Sequence, residues 1–185
     1  MTGWCHTMLE IDSTVLVVID VQGKLATLMH EKERLYDNTA RIIRAANVLG
    51  IEVICTEQHP DGLGETVAEL TRHLNVKPIP KFAFSCCGEP VFETALKTTG
   101  CTQVLLAGIE THICVYQTAV DLLGGGYEVY VLSDAVSSRT QANRQLGLQR
   151  MKDAGAVITG VEMALFEMLK VARGDKFKQI VRIVK

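Results

Sequence analysis

A chain of 185 residues, 48% of them hydrophobic, can bury one sizeable core and fold as a single domain. Its 19 basic and 21 acidic residues leave a net charge of −2 with no basic stripe, which argues against binding to nucleic acid or an anionic membrane. The N-terminus, MTGWCHTMLEID, does not read as a signal segment, and six cysteines without a C-x-x-C pair suit free thiols in a reducing, cytoplasmic compartment.

In chain order, the first element is the apolar run STVLVVID, a strand closed by Asp20. Tyr36 to Leu49 follows with Ile42, Ile43, Ala46 and Leu49 at three-to-four spacing, which predicts a helix with one apolar face. The same local grammar then recurs four times, in LGIEVICTE, TGCTQVLLAGIE, GGGYEVYVLSDAV and AGAVITG: the end of a helix, a glycine, then a β-rich run. Glycine is the expected cap there because it enters the left-handed region without a steric penalty. For the same reason Gly124 to Gly126, which follow a helix and precede a strand, read as a cap and not as a phosphate loop. The runs are rich in Val, Ile and Leu and several lack polar alternation, as strands covered on both faces do. Arg139 to Ala154 reads as an amphipathic helix with Leu146 and Met151 inward and Arg144, Gln145, Arg150 and Lys152 outward. After Gly160 the chain is helical through Met163, Phe166 and Leu169. The tail KFKQIVRIVK carries a stripe of Phe177, Ile180, Val181 and Val184, which closes the core or meets another subunit. Alternating strands and helices imply right-handed crossovers and a mainly parallel, Rossmann-like sheet. The expected fold is a three-layer α/β/α sandwich, one domain over residues 1–185 with a C-terminal helical extension from about residue 161.

Ligands of such sheets gather beyond the carboxyl ends of the strands, and three unusual residues fall there. Asp20 follows a buried apolar run, where a charge is costly unless it caps, pairs or reacts. Lys81 stands in KPIPKFAFS, where Pro78 and Pro80 hold the backbone extended and Phe82 and Phe84 offer an apolar setting for an ammonium. Cys114 stands in GIETHICVYQTAVDLL, where a strand ends at Ala107 or Gly108 and a helix starts near Thr111. This places the thiol in a first helical turn, beside unpaired N–H groups that favour a thiolate and could hold an oxyanion. Taken singly, Asp20 also reads as a turn or capping residue, and the plainer readings of a surface lysine and a buried structural cysteine are preferred for Lys81 and Cys114. Together they form an acyl-transfer constellation.

The segments VLVVIDVQ, PKFAFS and GIETHICV, in that order and spacing, resemble the three signature blocks of the isochorismatase-like hydrolases, from about Thr14 to Phe166. That family includes nicotinamidases, carbamoyl-sarcosine amidases and isochorismate hydrolases. The short isochorismatase-domain proteins are the subgroup most similar to this chain. The resemblance implies Asp20 as general base, Lys81 as its cationic partner and Cys114 as nucleophile. It further implies an oxyanion hole from the N–H groups of Glu110 and Cys114, a cis peptide at Ile109–Glu110, and a pocket that includes Gln22, Phe84 and His112. The implied activity is cysteine-dependent hydrolysis of a small amide or related C–N bond through a thioester. No metal and no cofactor take part, the partner is a small-molecule substrate, and the chain forms a homo-oligomer.

Two alternatives stand beside it. TEQHPDGLG places Glu57 and His59 where nicotinamidases carry an Asp-x-His metal block, with His73 as the next histidine, so one is a metal-assisted nicotinamidase. The other is a non-catalytic interaction protein that retains the fold.

Overall fold

The computed structural model describes residues 7–185; Cys5 and much of the N-terminal stretch read above for a signal segment lie outside them. Six parallel strands form one sheet: β1 (Thr14–Ile19), β2 (Glu52–Gln58), β3 (Ile79–Lys81), β4 (Gln103–Ile109), β5 (Glu128–Ser137) and β6 (Val157–Thr159), in the order β3-β2-β1-β4-β5-β6. The order reverses direction between β1 and β4. The carboxyl ends of these two strands therefore flank the crevice where an open α/β sheet takes its ligand.

Both faces of the sheet are covered, which explains the missing polar alternation. Leu16 and Val18 of β1 join a core with the helices α2 (Lys32–Leu49), α8 (Val161–Leu169) and α9 (Asp175–Val184). Val15, Val17 and Ile19 join a second core with α5 (Pro90–Thr99), α6 (Tyr116–Gly124) and α7 (Gln141–Asp153). Between β1 and β3 lie three short helices, α1 (Gly23–Thr27), α3 (Pro60–Leu63) and α4 (Ala68–Thr71). Among the described residues no helix is long and apolar enough to cross a membrane.

Register sets the strand ends against one another. Ile19 of β1 pairs with Thr56 of β2 and with Gly108 of β4, and Gln58 pairs with Lys81. Gly108 is required at this point: its φ is +124°, and a Cβ there would fall 2.1 Å from the Ile19 carbonyl oxygen.

The structure amends several expectations. β3 is a sixth strand, too short and too proline-rich to show as one. Leu146 does not face inward but is 57% exposed; Gly147 and Met151 are the buried residues of α7. The helix lies so close to the backbone of Thr111 and His112 that a Cβ on Gly147 would come within 2.7 Å of the Thr111 carbonyl. Arg144 does not point outward, and its guanidinium donates to the carbonyls of Ser133 and Val136. Met163 is exposed, while Val161, Ala164, Leu165 and Met168 carry the buried face of α8. The C-terminal stripe resolves in favour of core closure. Of the stripe, Ile180 is buried while Phe177, Val181 and Val184 are half-buried; Ile183, outside the expected stripe, is buried as well, and α9 packs on α2.

Candidate active site

Asp20 leaves β1 with φ +53°, a left-handed conformation that a short polar side chain tolerates better than a branched one. Its N–H donates to the Thr56 carbonyl at 3.1 Å, and its carboxylate is buried. Lys81, at the end of β3, is buried completely. Its Nζ stands 2.8 Å from Asp20 Oδ2 and donates to Gln58 Oε1 at 2.6 Å and to the carbonyls of Ala83 and Phe84, each at 3.0 Å. An ammonium has three protons, and these three neutral oxygens take them. Oδ2, at 2.8 Å, is a fourth oxygen around the same ammonium and shares its protons and its charge with these three. The other oxygen, Oδ1, accepts from the Thr56 hydroxyl at 2.8 Å.

The ammonium is thus lodged among oxygens and not against phenyl rings. Phe82 and Phe84 are 71% and 57% exposed, and Phe84 gives Lys81 its carbonyl while its ring faces out. The loop that carries them is held by Glu89, whose Oε1 accepts from the N–H groups of Phe82 and Ala83 at 2.7 and 2.9 Å.

Cys114 lies in a π-helical turn, Thr111–Val115, ahead of α6, and so not in the first turn of a regular helix. The carbonyl of Glu110 accepts from Ile113 at 3.0 Å and from Val115 at 3.3 Å, and the packing of Gly147 against Thr111 and His112 keeps the turn in place. The Ile109–Glu110 peptide is cis. The thiol is almost fully buried, and its titration responds first to that burial and then to the neighbouring Asp20 carboxylate. Asp20, Lys81 and Cys114 therefore meet at one point beyond β1, β3 and β4.

The electrostatics differ from the expected resting thiolate. Burial pushes the Cys114 thiol up to about 12, the Asp20 charge pushes the same way, and Lys81 opposes both without prevailing. Burial also raises the Asp20 carboxyl above its ordinary 3.8, against the pull of Lys81, Thr56 and Cys114. Lys81 is opposed by burial, but the charges of Asp20 and Cys114 outweigh it and hold its proton above the ordinary 10.5. Cys55 and Cys86 are likewise pushed to about 12 and Cys87 to about 11. Acidity does not single out Cys114. What sets it apart is that, of these cysteines, it is the one that acts back on the Asp20 carboxyl and draws it down.

The other expected residues fall as follows. Gln22 is fully buried and ties backbone together, with Nε2 donating to the carbonyls of Gln58 at 3.0 Å and Gly64 at 2.6 Å, and Oε1 accepting from the Gln58 N–H at 2.7 Å. His112 is half-buried, with Nδ1 3.0 Å from Ser138 Oγ. Glu57 turns to the opposite side of β2 from Thr56 and Gln58. Its Oε1 accepts from the N–H and the hydroxyl of Thr66, both at 2.6 Å, while the His59 ring lies against Phe82 with centroids 5.3 Å apart. His73 is elsewhere, past α4, its carbonyl accepting from Asn47 of α2. The pair Glu57 and His59 is thus occupied within the loop. Among the described residues no group of three or more His, Cys, Asp or Glu side chains is gathered as metal ligands.

Sequence reasoning missed Thr56, Gln58 and the side chain of Glu110. The first two are i and i+2 on β2, on one face and beside Asp20 and Lys81, so strand register was the available signal. The buried Glu110 carboxylate accepts from the Arg139 N–H at 3.0 Å and from its Nε at 3.2 Å, which ties the turn after β4 to the end of β5.

Comparison with known proteins agrees with this geometry. The isochorismatase domain matches residues 14–163. The secreted isochorismatase effector Isc1 of Phytophthora sojae is 42% identical over 180 residues, covering 94% of this chain and 85% of that protein. Isochorismatase domain-containing protein 2 of Xenopus laevis is 39% identical, covering 93% of this chain and 83% of that one. Among solved structures, one described as the MAR1 ribonuclease of Caenorhabditis elegans superposes with a TM-score of 0.91 at 36% identity, over 96% of this chain and 92% of that chain. With its sheet order, its strand-end site and these relatives, the chain belongs to the isochorismatase-domain family of hydrolase fold.

Proposed function

We propose that this protein is a cysteine hydrolase that cleaves a small amide or related C–N bond through a thioester on Cys114. One observation carries the reading: a buried carboxylate faces the Cys114 thiol, and a buried ammonium faces the same carboxylate, at the switch point of the sheet. A carboxylate raised above its ordinary range is a stronger base, and it stands where the thiol proton can reach it. Asp20 takes that proton as sulfur attacks the carbonyl carbon. The C–O π pair moves to oxygen, which the N–H groups of Glu110 and Cys114 receive. The C–N bond then breaks as the protonated Asp20 gives its proton to the leaving amine. Water, deprotonated by Asp20, attacks the thioester and returns the thiol. Lys81 keeps its proton throughout and lowers the cost of each negative charge formed beside it.

The metal-assisted alternative is disfavoured by the engagement of Glu57 with Thr66, and the non-catalytic alternative by the completeness of the Asp20–Lys81–Cys114 group. The test compares wild type with Cys114→Ala on a panel of small amides that includes nicotinamide, with a short RNA as a second substrate class. Amide turnover that vanishes in the variant supports the proposal. Amide turnover retained in full by Cys114→Ala, or turnover of RNA alone, overturns it.

A further inference from the structure

Asp20 has two oxygens, and the base it provides depends on how each is held. Oδ1 accepts from the Thr56 hydroxyl at 2.8 Å, while Oδ2 lies 2.8 Å from the Lys81 ammonium. Thr56 is itself buried completely and lies 3.8 Å from the Cys86 sulfur. Because the Thr56 proton is committed to Asp20, the Cys86 S–H is left as the donor in that second contact, and a neutral thiol has the proton to give. Cys86 is anchored in turn, its N–H donating to Thr118 Oγ1 of α6 at 2.9 Å. The result is a one-directional chain, Cys86 S–H to Thr56 O–H to Asp20 Oδ1, on the carboxylate oxygen that does not face Lys81.

Building on the reading of Cys114 and Asp20 given above, we propose that Thr56 is a positioning residue. Its hydroxyl, bound to Oδ1, fixes the orientation in which the Asp20 carboxylate meets Lys81 and Cys114, and Cys86 holds that hydroxyl in the donating orientation. Thr56 touches no substrate and acts only through Asp20. The position is set by register, since Thr56 pairs with Ile19, the residue before Asp20, and the Thr56 carbonyl also accepts the Asp20 N–H. One residue of β2 thus holds both the main chain and the side chain of the base.

A hydrogen bond to a carboxylate favours its charged form, so loss of this one is expected to move the Asp20 titration upward by about one to two pH units. The titratable groups facing Asp20 are Lys81, Cys114, Cys86 and Cys55; Thr56 also touches Cys86, whose thiol burial pushes up to about 12, so that it stays neutral across the acid limb. The readout is the rate of Cys114 alkylation by iodoacetamide, in which sulfur displaces iodide, followed by peptide mass spectrometry as a function of pH. The wild type is expected to lose reactivity on the acid side as Asp20 becomes protonated and no longer accepts the thiol proton. In Thr56→Val, which keeps shape and removes the donor, that acid limb moves up by about one to two units, and Thr56→Ser restores it. Thr56→Cys supplies a weaker donor at the same place and gives an intermediate shift, which keeps the test available if the valine chain does not fold. Asp20→Asn separates the two claims. If Asp20→Asn abolishes the limb but Thr56→Val and Thr56→Cys leave it in place, the positioning role is wrong and the Cys114–Asp20 reading stands. If Asp20→Asn leaves the limb unchanged, both are wrong.

Discussion

Replacing Lys81 by methionine and Asp20 by asparagine, singly and together, probes the buried pair at the centre of the site. At the observed 2.8 Å separation the Coulomb attraction is about 6 kcal/mol if the effective dielectric constant is about 20. Much of this is offset by the cost of taking both charges out of water, so the pair itself is a weak source of stability, and breaking it is the expensive step. Lys81→Met leaves a carboxylate with only Thr56 and Cys114 around it. Because burial already raises Asp20, it can escape by binding a proton. Asp20→Asn leaves an ammonium that keeps its three oxygens, Gln58, Ala83 and Phe84, but has lost its counter-charge. Each single change should cost about 3 kcal/mol, at the lower end of the range for orphaned buried charges. The double change should cost little more than either single one, a coupling of about 2–3 kcal/mol. Urea unfolding followed by circular dichroism reads this as midpoint shifts on the order of 1–2 M. The pH dependence adds a second check. Lys81 binds its proton more tightly than an ordinary lysine, so its contribution is intact below 10.5 and is lost only as the pH rises through the folded value. Asp20 is raised from 3.8, so its ionisation works against the fold as the pH climbs above that range. Without Lys81 this loss should be steeper, and Lys81→Met should lose stability between about pH 4 and about pH 7 faster than wild type. Additive single costs within about 0.5 kcal/mol, or a slope unchanged from wild type, would refute the view of these residues as one interacting unit.

Other consequences can be tested separately. Gly147→Ala improves helix propensity yet sets a Cβ within 2.7 Å of the Thr111 carbonyl; it should destabilise the chain by about 1–3 kcal/mol and slow Cys114 alkylation, whereas a neutral result would mean that α7 does not seat the π turn. Leu146→Gln on the exposed face of the same helix should change stability by less than about 0.5 kcal/mol in a thermal melt; a larger loss would place Leu146 in the core after all. Hydrolysis, once a substrate is in hand, should fall on the acid side with an apparent pKa above the ordinary 3.8 of an aspartate, since Asp20 must be ionised to accept the thiol proton. An acid limb at or below that value would contradict the raised carboxyl.

Much of this architecture is legible in the chain because its causes are local. The apolar run STVLVVID announces β1, glycines followed by apolar runs announce β2, β4, β5 and β6, and residues that end such runs lie at the ligand edge of a parallel sheet. Asp20 and Lys81 pair there at 2.8 Å with the Cys114 thiol close enough to feel both charges, and the Ile109–Glu110 peptide is cis. What stayed hidden depends on distance and register. β3 has three residues, one of them proline, and offers no period to read. The inward face of α7 is set by how closely its backbone approaches the turn after β4, which selects Gly147 over the more hydrophobic Leu146. The apolar neighbours of Lys81 suggested a greasy setting, but the backbone carbonyls of Ala83 and Phe84, which no side-chain pattern reports, supply the polarity. The thiol acidity also could not be read from a helix start, because burial and the Asp20 charge outweigh it.

The central claim is that Cys114 is the nucleophile and that Asp20 activates it. Reaction with p-nitrophenyl acetate, a small activated acyl donor, tests both parts when the products are quenched in acid and mapped by mass spectrometry. The expected result is a burst of p-nitrophenol with acetyl on the Cys114 peptide, absent in Cys114→Ala and slowed at least about tenfold in Asp20→Asn. Acetylation confined to another residue, or a burst in Asp20→Asn equal to that of wild type, would contradict it.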